Sequence, residues 1–134
     1  MVRSTRDLCG PARVSPHGAE KREWHMAKAI MMVFTDPAEP SREQEYREWY
    51  DAHIAEALKA AQGMPRAVRY KLAKEQGHPV DVPFGFVTIY EIEADDVDAV
   101  HARLLEAWNK GELSTSDVAR QGPIIYWDVD SEIT

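Results

Sequence analysis

The chain has almost no cysteine: Cys9 is the only one among 134 residues. No intrachain disulfide can form, so packing alone must hold the fold, and the composition suits a reducing cytoplasm. Long apolar runs are also missing. The longest, Ala29 to Phe34, is far too short to cross a bilayer, and the N-terminus has no secretory apolar segment. There is no cationic excess. Formal net charge is −7, and beyond residue 25 there are 11 Lys/Arg against 20 Asp/Glu, a balance of −9. An acidic domain without a basic patch argues against nucleic acid and against an anionic membrane surface as partners. A Gly-rich phosphate loop, a C-x-x-C-H sequence and a His/Cys/Asp/Glu group at metal-ligand spacing are all lacking. Nucleotides, covalent heme and a bound metal are therefore disfavoured. What is left is the length and the 44% hydrophobic content of one globular domain.

Residues 1–25 mix Gly, Pro, Ser and charge without periodicity, as a disordered extension would. Met26 then precedes the apolar run AKAIMMVF and is a candidate start of the domain, 26–134.

That domain reads as two similar halves. Ala27–Thr35 has the near-continuous apolar character of a strand buried on both faces. DPAEPS is a turn, after which Ser41 with Gln44 forms a capping-box pattern for a helix running to about Ala61. Gly63 and Pro65 end it. Arg66–Lys74 alternates, with Val68, Tyr70 and Leu72 on one face and Arg69 and Lys71 on the other. After the loop EQGHPVDVP, Phe84–Glu93 is a third strand. Asp95 can cap a second helix with the stripe Val97, Val100, Leu104, Leu105 and Trp108, ending near Asn109. ELSTSDVARQG connects it, with room for a helical turn near Asp117, to a fourth strand, Pro123–Val129. The βαββαβ order predicts an α+β, ferredoxin-like fold: a four-stranded antiparallel sheet with two helices on one face. The opposite face keeps apolar side chains from three strands. Such a face favours a homodimer with sheets packed together.

The stretch YREWYDAHIAEAL, Tyr46–Leu58, holds the candidate chemistry. At helical spacing Tyr46, Trp49, Tyr50, Ile54, Ala57 and Leu58 share a face, and His53 lies within that apolar stripe. A histidine so placed is either a core residue bonded to a backbone carbonyl or a general acid/base whose charge is set near neutral pH. Asp51, two positions before it, points elsewhere on the helix and is no co-ligand. Tyr46, Trp49 and Tyr50 are packing residues that would also form a flat wall for an aromatic or polyene substrate.

These residues resemble a known pattern. EYREWYDAHIAEALKAAQGMPRAVRY is similar to the dimeric α/β-barrel superfamily, most closely its EthD-like members, through Trp49, Tyr50, His53, Gly63, Pro65, Arg69 and Tyr70. The resemblance implies an α/β barrel formed by dimerisation and a ligand cleft between sheet and helices, lined by His53. The superfamily includes muconolactone isomerases, aromatic polyketide cyclases, cofactor-free monooxygenases and heme-dependent enzymes. Fold alone therefore does not choose the reaction.

The expectation is a small cofactor-independent lyase, isomerase or cyclase of catabolism, acting on a small aromatic, lactone or polyketide-like molecule. His53 would move the proton, and Tyr50 or Tyr70 would polarise an oxygen. Tyr46, Trp49 and Tyr70 would line the cleft, and Arg69 would anchor a carboxylate or, more simply, form an ion pair at the sheet edge or dimer interface. Two alternatives stand beside it. One is a monooxygenase, cofactor-free or with heme held by a helix histidine; the other is a non-catalytic small-molecule-binding or accessory protein. His101 and His78 read as solvated or structural, and Tyr126 and Trp127 must face opposite sides of the sheet.

Overall fold

A computed structural model describes residues 27–133. The readings made for 1–25 and Met26 lie outside the described residues. The elements are β1 (Ala27–Pro37), a single 3-10 turn (Pro40–Arg42), α1 (Glu43–Ala60), β2 (Arg66–Lys71), β3 (Phe86–Ala94), α2 (Val97–Asn109) and β4 (Ala119–Asp128). The sheet order is β2-β3-β1-β4, antiparallel throughout. This is the expected ferredoxin-like arrangement. Both helices cover one face because each carries a single apolar stripe. α1 buries Tyr46, Tyr50 and Ala57, and α2 buries Val100 and Ala107.

The register sets three side-chain rows on the helix-covered face. Tyr90, Met31 and Tyr126 are aligned across β3, β1 and β4, followed by Thr88, Val33 and Ile124, then Phe86, Thr35 and Gln121. From β1, Ala29, Met31, Val33 and Thr35 are buried; Ile30, Met32 and Phe34, on the other face, are only half-buried. Burial of β1 on both faces is thus corrected, since the helices supply a second layer on one side alone. The open face ends in exposed Tyr70, Leu72, Ile125 and Trp127, the last 54% accessible.

Local signals were read with mixed success. The capping box does not form: the 3-10 turn displaces Ser41 from the cap, Arg42 occupies it without a side-chain bond, and Gln44 donates instead to Glu48 Oε2 at 3.1 Å. The second helix is capped by Asp96, whose Oδ1 accepts from the Asp98 N–H at 3.0 Å, rather than by Asp95. Near Asp117 the chain makes a turn, not a helix, and β4 begins at Ala119. The added residues pair with β1 across a bulge between Val33 and Thr35. Gly122 sits at that bulge, where a Cβ would come within 2.6 Å of Phe84 Cζ and 2.9 Å of the Phe34 carbonyl. Gly63 has φ +103, and its carbonyl accepts from the Glu93 N–H at 2.7 Å, joining the end of α1 to β3.

Candidate active site

Phe86, Tyr46, Tyr50 and His53 form an aromatic column along α1. Ring centroids are 5.1 Å apart from Phe86 to Tyr46, then 5.6 Å to Tyr50 and 5.6 Å to His53, and the last two pairs are stacked within 12°. The column starts from a buried bond between Tyr46 Oη and Thr35 Oγ1, 2.5 Å long. Trp49 flanks its other end, 4.9 Å from the His53 ring. Positions 46, 50 and 53 fall on one helix face because they are four and three residues apart.

The His53 ring is fixed at one nitrogen. Nδ1 lies 2.9 Å from the Ser114 carbonyl. A carbonyl only accepts, so Nδ1 carries the hydrogen and Nε2 keeps a lone pair. Ser114 is itself held: its N–H and its hydroxyl both donate to Glu56 Oε1, at 2.9 and 2.8 Å. Glu56, three residues beyond His53 on α1, therefore orients the histidine through the loop after α2, an outer-shell arrangement of the kind that fixes imidazole tautomers. Burial pushes the His53 imidazole below its ordinary value, with the Ser114 carbonyl and Glu56 opposing. The Ser114 N–H and hydroxyl hold the Glu56 carboxyl below the usual range.

His53 opens onto a cavity of about 330 Å³ between the sheet and both helices, a size at the small end of ligand sites. Met31 and Val33 form its floor, and Ala57, Leu104 and Leu113 are among its apolar walls. Tyr50 and Tyr90 line it as well; both are 2% exposed. Burial raises both phenols, and Tyr50 beside it raises Tyr90 further, so each stays a hydrogen-bond donor. No Lys, Arg, Asp or Glu lines the cavity. Among the described residues no His/Cys/Asp/Glu group is arranged to hold a metal, and no helix is long and apolar enough to cross a membrane.

The residues singled out in the sequence divide. His53 and Tyr50 meet at the cavity. Tyr46 and Trp49 support them from behind rather than lining it. Arg69 lies on the helix side of β2 but outside the cavity, its Nη1 donating to Asp51 Oδ1 at 2.7 Å. This is the ion-pair alternative, made with α1. Tyr70 points to the open face, half exposed, and is corrected as a cleft residue. Alternation had placed it opposite Arg69, but only the position of the helices decides which face holds the cleft. Tyr90, Glu56, Ser114 and Tyr126 were missed as site residues. The alternation Phe86, Thr88, Tyr90, Ile92 was a usable signal for Tyr90; a backbone carbonyl such as that of Ser114 leaves none.

No family model matches the chain, and no curated protein does. Solved structures do match in fold. HapK from Hahella chejuensis is 10% identical, with a TM-score of 0.50 over 79% of this chain and 97% of that one. A protein provisionally assigned as an antibiotic biosynthesis monooxygenase from Bacteriodes thetaiotaomicron VPI-5482 is 15% identical, with a TM-score of 0.41 over 81% and 90%. The likeness is one of ferredoxin-like fold. It does not reach a family assignment.

Proposed function

We propose that the protein is a small enzyme without a resident cofactor, in which His53 takes a proton from a flat, neutral, partly aromatic or polyketide-like substrate. The observation that carries this reading is the locked tautomer: Nδ1 is committed to Ser114, leaving an unprotonated Nε2 on a ring that lines a largely apolar cavity. Tyr50 and Tyr90 hold the oxygen on which negative charge develops, as protonated donors already in place. A carboxylate-bearing substrate fits less well than the sequence suggested. Arg69 is engaged by Asp51, and the cavity offers no cation.

An anion formed beside His53 can be reprotonated at another atom, giving isomerisation, can attack a carbonyl of the same molecule, giving cyclisation, or can itself reduce dioxygen, one oxygen atom bonding to the substrate carbon and the other leaving as water. The last route, monooxygenation, is favoured here. The cavity walls are apolar, as suits dioxygen. Heme fits poorly, because its propionates would find no Lys or Arg among the lining residues. Oxygen uptake and product formation on a panel of neutral naphthols and anthrones test the proposal. His53→Ala should lower turnover about 10²–10⁴-fold with the fold retained. Unchanged turnover would remove His53 from the mechanism, and product without oxygen uptake would return the assignment to an isomerase or cyclase.

The EthD-like relationship, a cytoplasmic location and a homodimer belong to the same proposal. A second copy covering the open face would bury Tyr70, Leu72, Ile125 and Trp127, an apolar set that water solvates poorly.

A further inference from the structure

The cavity has a second polar end that the proton-transfer proposal does not use. His101 on α2 and Tyr126 on β4 both line it, and His101 Nδ1 lies 2.7 Å from Tyr126 Oη. Their rings meet edge to face, at 89° with centroids 5.1 Å apart. Tyr126 occupies the same cross-strand row as Tyr90, with Met31 between them. Two strand spacings put these positions about 10 Å apart. Tyr50 and Tyr90 are buried and His53 half-buried, whereas Tyr126 is half-buried and His101 exposed, so this second pair stands nearer the mouth. Whichever partner donates in the His101–Tyr126 bond, one ring N–H or phenolic O–H and one phenolic lone pair are left for a guest. Between the two ends the floor is apolar, Met31 with Val33 beside it.

We propose that His101 and Tyr126 form a receiving station for a hydroxyl or keto oxygen at the far end of the substrate, fixing which end meets His53. The preferred substrate class is then a flat, neutral molecule with an oxygen function at each end and an unbroken apolar middle. This deepens the proposed function and rests on its placement of the substrate in the cavity. It assigns positioning, not catalysis, to the pair.

The test compares a one-ended and a two-ended probe, 2-naphthol and 2,6-dihydroxynaphthalene, by calorimetric titration. The protein should bind the diol about tenfold more tightly, the discrimination one well-made buried hydrogen bond supplies. Tyr126→Phe should abolish that preference while leaving 2-naphthol affinity unchanged, and His101→Leu should reduce it. If the pair merely latches α2 to β4, Tyr126→Phe will leave the preference intact or weaken both probes equally; either result overturns the proposal. If neither probe binds, the flat-aromatic reading falls and this inference with it. A diol preference abolished by Tyr126→Phe supports the receiving station even where His53→Ala leaves turnover untouched, so the two readings fail separately.

Discussion

The aromatic column that carries His53 stands on one buried hydrogen bond, and breaking it from each side gives a sharp expectation. Tyr46 and Thr35 are both 0% exposed, and their hydroxyls are 2.5 Å apart. Tyr46→Phe removes one hydroxyl and strands the other in a space that water does not reach. A stranded buried polar group costs about 1–3 kcal/mol. Thr35→Val keeps the shape of the threonine and strands the phenol instead, at a similar cost. The double variant leaves neither group unpaired and should sit within about 1 kcal/mol of the parent. The coupling energy is therefore at least about 1 kcal/mol, well above the few tenths expected of independent sites. Urea unfolding with a common m-value measures all four corners, and thermal melts should follow at about 4–8 °C per kcal/mol for a domain near this size. Additive single effects, or a Tyr46→Phe variant as stable as the parent, would refute the claim that this bond anchors the column.

Three further expectations follow from the same geometry. Burial holds His53 below 6.5, so the folded protein binds fewer protons than the unfolded chain; the stability this contributes is present above 6.5 and lost as pH falls through the folded value. Imidazole proton resonances should show the low titration, and urea midpoints should decline from pH 7 toward 5 less steeply in His53→Gln. Gly122→Ala forces a methyl against Phe84 and the Phe34 carbonyl and should destabilise by about 1–3 kcal/mol, the usual cost of overpacking; a neutral result in unfolding experiments would mean the bulge is pliant. Trp127→Arg on the open sheet face should shift sedimentation from dimer to monomer with the His53 site intact, and a parent protein that sediments as a monomer would dismiss the homodimer.

Much of the fold was legible because its signals are local and periodic. The alternation of β2 and β3, the stripes of α1 and α2 and the glycines after each helix sufficed for element order, and element order with the antiparallel return sufficed for the sheet. Harder to read was whatever depends on a competitor elsewhere. Ser41 and Gln44 satisfy a capping pattern, yet Pro40 draws Ser41 into a 3-10 turn and Glu48 takes the glutamine. Asp95 and Asp96 are equivalent by type, and only the backbone geometry selects Asp96. β4 was read as beginning at Pro123, because proline and Gly122 look like a strand boundary; the bulge lets both sit inside the strand. In the site, His53 and Tyr50 could be chosen from one helix. Tyr126 and His101 lie 25 residues apart and meet only because β4 lies beside β1, beneath α2.

Ser114 is gripped at three atoms, its carbonyl by His53 and its N–H and hydroxyl by Glu56. The proton affinity of the imidazole, lowered by burial, is consequently raised in part by a connecting segment whose serine need never meet a substrate. Shortening or lengthening that connection by one residue would slide a different carbonyl under the ring, or none, and so retune the pH at which the base is armed. In this architecture the chemistry can be adjusted by editing a tether while the cavity walls supplied by the sheet and the helices stay as they are.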